Sequence, residues 1–223
     1  MGVIGSIKKS IAVKVKYNFQ RNCVELLKWA CRTLKSNKNI DENWGEENIS
    51  ANLYHYISNS QRAINLDIFV ESEHSFYTDD ILDNRKNSKS GSRIDLVFQN
   101  NWKGHKFIFY VEAKNLVTHD FKKQGNKSIT KADSVQQRYI NTGIDHFLSG
   151  HYPQGCLLGY VLNGTTTEAV DGINGLLQVA GRDTEYLQYV YGEGSWMCFK
   201  SEHSSLTADL EHFFFNFVMA RVF

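Results

Sequence analysis

The chain reads as an α/β protein, a mixed β-sheet flanked by helices on both faces, and three observations lead there. Segments with apolar residues at three- and four-residue spacing alternate with short β-prone runs, in the order helix, helix, strands, helix, strand, helix, strands. The run from Cys156 to Leu162 is continuously apolar, as a strand buried on both faces requires. A chain of 223 residues with 42% hydrophobic side chains can enclose one full core, so a single domain over 1–223 is expected, with 1–40 as an N-terminal helical extension.

The elements follow from local pattern. From about Ile11 to Leu34, the residues Phe19, Cys23, Leu26, Leu27, Ala30 and Leu34 recur as the stripe of an amphipathic helix, which the polar stretch Ser36 to Asn43 ends. A second helix begins between Asn43 and Glu47 and runs to about Ser58, with Ile49, Leu53, Tyr56 and Ile57 on one face; Asn59 to Gln61 closes it. Three β-prone runs come next: Ile64 to Val70, Arg93 to Gln99, and Phe107 to Leu116. Asn100 to His105, with Gly104, joins the last two as a hairpin, and Asp79 to Ser92 is a mobile polar loop. A lysine-bearing loop after Val117 leads to a helix over Ala132 to Leu148 with Gly150 as its C-terminal cap. The buried strand, a helix from about Thr167 to Val179, strands around Leu187 to Tyr191 and Trp196 to Phe199, and an aromatic tail from Leu210 to Phe223 complete the order. The run Phe213 to Phe217 is expected to pack under the sheet.

Several function classes are set aside. The longest apolar runs fall far short of the roughly 20 residues that span a bilayer. No long apolar region with a small-residue cleavage site opens the chain, so a cytoplasmic protein is expected; the Met-Gly start with Ser6 fits a myristoylation pattern only loosely. Cys23, Cys31, Cys156 and Cys198 have neither Cys-x-x-Cys nor finger spacing and read as buried, reduced thiols. A net charge of +1 leaves any nucleic-acid contact to local patches.

Chemistry concentrates on two strands. Alternation along Arg93 to Gln99 puts Ile94, Leu96 and Phe98 on one face and Asp95 and Val97 on the other, so an acid projects from an otherwise apolar strand. On the next strand Glu112 and Lys114 share a face, opposite Val111 and Ala113. A phosphodiester repels nucleophiles through its negative charge, and a hydrolase answers with a hard cation held by carboxylates. Asp95 and Glu112 would hold Mg²⁺, or Mn²⁺ in its place, with the Ala113 carbonyl as a further oxygen ligand. Lys114 would orient or help deprotonate the attacking water, or offset charge developing on phosphorus.

Ile94-Asp95 followed by Glu112-Ala113-Lys114 resembles the signature of the PD-(D/E)XK nuclease superfamily, with Ile94 standing where the family has proline. The resemblance implies a restriction-endonuclease-like fold and a Glu in the helix before the sheet. Glu46 and Glu47 are the candidates. At about 100° per residue Glu46 falls within the arc of Ile49, Leu53 and Ile57, and Glu47 outside it. Gln136-Gln137-Arg138-Tyr139 with Gly143, Ile144, Phe147, Gly150 and Tyr152 is similar to the helix after the sheet in nucleases of bacterial defence loci, where a Gln often lines the site. Phe199 to His203 and Leu210 to Phe213 are similar to the end of those proteins. The resemblance therefore implies an endonuclease acting on DNA, with RNA as the alternative, serving as an antiviral defence effector and controlled by homo-oligomerisation or a partner subunit, with no membrane.

Each motif has a plainer reading. Asp95, Glu112 and Lys114 could form a surface salt-bridge ladder, and Glu46 could be a helix-start acid facing the dipole. A domain of the same fold that is catalytically silent and acts as a scaffold is the rival from another class. Asp120-Phe121-Lys122 copies the acid-x-lysine spacing in a loop where no strand aims it. The basic residues Arg85, Lys86, Lys89 and Arg93, and Lys122, Lys123, Lys127 and Lys131, are either solvated loops or a phosphate-contacting rim, with Gln137, Lys122, Lys123 and Arg93 as the nucleic-acid contacts. His146, His151, His203 and His212 match no metal-ligand spacing.

Overall fold

A computed structural model of the chain describes residues 9–76, 83, 92–152 and 155–218. The Met-Gly start with Ser6, nearly all of the loop Asp79 to Ser92 with Arg85, Lys86 and Lys89, Pro153, and residues 219–223 of the aromatic tail lie outside them.

Helix α1 (Lys9–Asn37) buries the expected stripe, Phe19, Cys23, Leu26, Leu27, Ala30 and Leu34, so the N-terminal extension is an integral part of the core. Each leucine and the phenylalanine of the stripe contributes about 1.5–3 kcal/mol by leaving water. Helix α2 (Glu46–Ser58) packs Ile49, Leu53 and Ile57 into the same cluster.

The β-prone run Ile64 to Val70 is largely not a strand. The Ser60 hydroxyl accepts the Ala63 N–H and caps a short helix α3 (Gln61–Asn65), and extended backbone begins only at β1 (Phe69–Phe76). A local cap at the run's start outweighs the β propensity of its isoleucines.

Strands β2 (Ser92–Trp102) and β3 (His105–Leu116) form the expected hairpin. Its two-residue turn has positive φ at both Lys103 (47°) and Gly104 (81°), the combination that matches the twist of the strands it joins. The segment from Ala132 is helical but not uniform: α4 (Ala132–Arg138), a π-helical turn (Tyr139–Ile144) and α5 (Asp145–Leu148) succeed one another, ending at Gly150 with φ +72°. Strand β4 (Gly155–Val161) follows. Helix α6 (Thr166–Val179) starts at a capping box in which Thr165 and Glu168 satisfy each other's backbone N–H. Strands β5 (Gln188–Glu193), β6 (Trp196–Ser201) and β7 (Leu210–Asn216) close the order.

The seven strands make one mixed sheet in the order β1-β2-β3-β4-β7-β6-β5; β4 is parallel to β3 and β7, and the other pairs are antiparallel. The aromatic run expected beneath the sheet is inside it. Phe213 and Phe215 face the core under α1 and α2, and Phe214 faces the core under the π-helical turn, α5 and α6. A run buried on both sides needs no polar alternation, which is why its pattern conceals a strand. All four cysteines are buried and unbonded. No described helix is long and apolar enough to cross a membrane.

Candidate functional site

The ladder between β2 and β3 ends at Leu96 opposite Val111. Asp95 and Glu112 are the next residues on each strand, where the strands part. Asp95 leaves the ladder and its Oδ2 accepts the Ala113 N–H at 2.7 Å. The neighbouring ladder skips the same point: β1 pairs Ser72 with Leu96 and then His74 with Ile94, with Glu73 at φ +52° between them. This irregularity corrects one expectation. Ile94 packs with Val97 in the core under the π-helical turn, α5 and α6, whereas Leu96 and Phe98 pack under α1 and α2.

Strand β3 continues along β4, pairing Glu112 with Leu157 and Lys114 with Gly159. Glu112 and Lys114 are only 4% and 5% exposed, which rules out a solvated salt-bridge ladder. The Lys114 ammonium donates to Glu112 Oε1 and, at 2.9 Å, to the Ala113 carbonyl, and it lies 3.5 Å from Glu46 Oε1. Taking these charges out of water costs several kcal/mol per ion, which their mutual attraction must offset.

Of the two helix acids it is Glu46 that reaches the cluster; Glu47 is exposed. Glu46 Oε2 accepts the Asn115 N–H at 2.9 Å, and the Asn115 amide holds the Trp44 carbonyl at 2.9 Å, which fixes the start of α2 against β3. Glu46 Oε1 also receives Arg138 Nη2 at 2.7 Å from the end of α4. Arg138 sits in the quoted Gln-Gln-Arg-Tyr string, but its role escapes a sequence reading because the contact spans 92 positions. Tyr152 is a second such residue. Its hydroxyl donates to the Arg93 carbonyl at 2.8 Å, and burial, then the charges of Glu112 and Asp95, push its ionisation well up.

The titrations report the crowding. Burial, partly offset by Lys114 and the Ala113 N–H, pushes Asp95 up to about 6. Burial and then the Asp95 charge push Glu112 up to about 8. Burial works against the Lys114 charge, yet Glu112, Glu46 and Asp95 together hold its pKa above the ordinary lysine value, so it is an ammonium.

The π-helical turn brings the covering helix close. A Cβ on Gly143 would stand 2.8 Å from Leu157 Cδ2 and 3.8 Å from Lys114 Cγ, so only glycine fits there without displacing Leu157. Gly143→Val is expected to cost about 1–3 kcal/mol by overpacking. The check is urea denaturation; a loss below about 0.5 kcal/mol would show that the close approach is not a constraint.

The remaining candidates lie elsewhere. Gln136 does not line the site: it is buried, donates to the Val117 carbonyl at 3.0 Å and packs against Gly172 of α6. Gln137 sits on the outer side of α4, bonded to Asn141 at 2.8 Å. Arg93 is exposed and 3.4 Å from Glu73. Lys122 is exposed and Lys123 half-buried in the loop after β3, which the Phe121–Thr130 bridge and a 2.7 Å bond from the Gln124 N–H to Asn43 tie beside the start of α2. Among the described residues none of these four side chains bonds to Asp95, Glu112 or Lys114. Asp120 of the copied acid-x-lysine string instead accepts the Ala132 N–H and the Lys131 ammonium at the start of α4.

The histidines form no metal cluster; no group of three or more His, Cys, Asp and Glu is placed to share an ion among the described residues. His146 lies against His151 at a 4.5 Å centroid distance with the rings tilted by 43°, and burial, then His151 and Lys114, lower its pKa. His212 is fully buried between the Tyr139 hydroxyl (2.8 Å) and Ser201 Oγ (2.7 Å), and Ser201 is 2.6 Å from His203. Burial, then the neighbouring His203, push His212 down to about 3.

The oxygen donors suit a hard cation. Asp95 and Glu112 stand where β2 and β3 part, Glu112 Oε2 is buried without a hydrogen-bond partner, and the Ala113 carbonyl beside them accepts the Lys114 ammonium. Glu46 is held aside by Arg138 and the Asn115 N–H. In comparison with known proteins, no family model, curated protein or solved structure matches the chain.

Proposed function

We propose that the protein is a metal-dependent nuclease of the PD-(D/E)XK, restriction-endonuclease-like type. The observation that carries this reading is the constellation of half-buried Asp95 with buried Glu112 and Lys114 at the point where β2 and β3 separate, with Glu46 reaching in from α2. Buried charge of this density is costly to keep, and perturbed acids beside a lysine are a common mark of a reacting site.

In this reading Asp95, Glu112 and the Ala113 carbonyl would hold Mg²⁺, or Mn²⁺ in its place, which would supply Lewis-acid charge for the phosphodiester and for the attacking water. The chain's own groups do the rest. Lys114, being an ammonium, acts as a hydrogen-bond donor: it orients the attacking water and stabilises negative charge growing on the phosphoryl oxygens. Burial and the Asp95 charge raise the Glu112 pKa in the metal-free chain, and a bound cation would draw its proton off. Glu46 steadies Lys114 from the helix side and keeps its distance from the other two acids through Arg138. With Glu46 so engaged, one ion fits the donors better than two.

DNA is the favoured substrate and RNA the alternative. Service as an antiviral effector, with a partner subunit or further copies as its control, extends the same reading. The test is incubation of labelled DNA and RNA with the protein in Mg²⁺, Mn²⁺ or EDTA; metal-dependent cleavage of either supports it.

One observation favours a second reading. Every acid of the cluster already has an internal partner, Lys114 for Glu112, Arg138 for Glu46 and the Ala113 N–H for Asp95, as a silent scaffold would also need. Calorimetric titration with Mn²⁺ separates the two: binding that Asp95→Ala abolishes supports the nuclease, and no binding supports the scaffold.

A further inference from the structure

Arg138 stands apart from the rest of the constellation. Its side chain is 56% exposed while the carboxylate it grips is 13% exposed, so the guanidinium caps the cluster from the solvent side. A guanidinium carries five N–H donors, and Glu46 takes its bond from Nη2. The grip also fixes where the group sits. Glu46 is itself held by the Asn115 N–H, and the Arg138 backbone is pinned by the Thr142 hydroxyl, which donates to its carbonyl at 2.9 Å.

Beside Arg138 on the outer face of α4 and the π-helical turn lies an open hollow of about 420 Å³, lined by Ser134, Gln137, Asn141 and Thr142 among others. Ser134, Gln137 and Asn141 are neutral donors, the kind that hold phosphate oxygens without reading bases, while the Thr142 hydroxyl already donates to the Arg138 carbonyl. Asp133 at its rim is the acid that opposes an anion there.

We infer that Arg138 is the phosphate anchor of the site: it binds a phosphate of the nucleic-acid backbone next to the bond being cut, and the backbone continues across the Gln137–Asn141–Thr142 hollow. The inference rests on the nuclease reading and deepens it. Glu46 is then a positioning residue that aims the guanidinium, and the planar fork suits two phosphate oxygens at once.

The experiment is fluorescence anisotropy of a labelled DNA duplex and a labelled single strand, in metal-free buffer over a range of KCl concentrations. Arg138→Ala is expected to weaken binding about tenfold and to lower the slope of log affinity against log salt by about one, the loss of one phosphate contact. Arg138→Lys keeps the slope, since it keeps the charge. Arg138→Gln keeps a donor for Glu46 but loses the slope, which separates anchoring from bracing. Asn141→Ala weakens binding about threefold with the slope unchanged. If the wild type cleaves nucleic acid while Arg138→Ala and Arg138→Gln keep its affinity and slope, the anchor is overturned and the nuclease reading stands. If the wild type neither binds nor cleaves, both fall.

Discussion

Lys114→Ala is expected to lower the stability of the metal-free protein by about 3–5 kcal/mol at pH 8, because it strips the ammonium from carboxylates that stay buried. The loss depends on pH, with a sign set by the acids. Asp95 at about 6 and Glu112 at about 8 both lie above their ordinary values, so between about pH 4 and 8 the folded chain holds more protons than the unfolded chain. Their burial is therefore cheapest at low pH and grows more costly as pH rises through 6 to 8. Without Lys114 that rise steepens, so the penalty at pH 5, where both carboxyls carry protons, is expected to be much smaller than at pH 8. Glu112→Ala also destabilises, and the double variant loses about 1–3 kcal/mol less than the sum of the two, since the remaining charge of either single variant is then gone. Urea denaturation at pH 5, 6.5 and 8 measures all three. An equal loss for Lys114→Ala at pH 5 and 8 would mean that the lysine contributes packing and not charge.

Acid is expected to strike the protein through His212. This histidine is fully buried and pushed down to about 3, so below its ordinary value near 6.5 the unfolded chain takes a proton that the folded chain refuses. Stability is whole above about pH 6.5 and falls as pH drops towards 3, by about 3 kcal/mol between pH 6.5 and 4 from this residue alone. A neutral imidazole has one N–H, so His212 donates at one ring nitrogen and accepts at the other, between Tyr139 and Ser201. His212→Asn removes the titration. It is expected to start less stable at pH 7 and to have a shallower decline below pH 6.5. Parallel declines for variant and wild type would assign the acid sensitivity to the carboxylates instead.

What could be read in advance depended on how local the signal was. Glu112 and Lys114 belong to one strand, so alternation put their side chains on a common face, whereas Asp95 meets them by stepping out to the Ala113 N–H. Glu46 was reachable because helical phase separates it from Glu47. The contacts that complete the cluster have no local trace. Arg138 meets Glu46 across 92 positions, and the π-helical turn that lets Gly143 approach Leu157 depends on packing and not on any spacing within Ala132 to Leu148. The expectations that failed did so for definable reasons. Ile64 to Val70 lost its first half to the Ser60 cap, and the phenylalanine run of β7 has both faces buried and so no alternation to reveal a strand. Ile94 changed sides because Asp95 steps out of the ladder to bond with Ala113, and that step is itself part of the site. Alternation breaks at Asp95, a residue of the proposed site, and sites are where a local rule most often yields.

The most direct test of the nuclease reading is nicking of supercoiled plasmid with Mg²⁺ or Mn²⁺ and with EDTA, by the wild type, Asp95→Ala and Lys114→Ala, each checked for folding by circular dichroism. The expected result is metal-dependent nicking by the wild type that falls by about a thousandfold or more in both variants, the scale for removing a group that acts on the reacting phosphate. Nicking that persists in both folded variants would contradict the site.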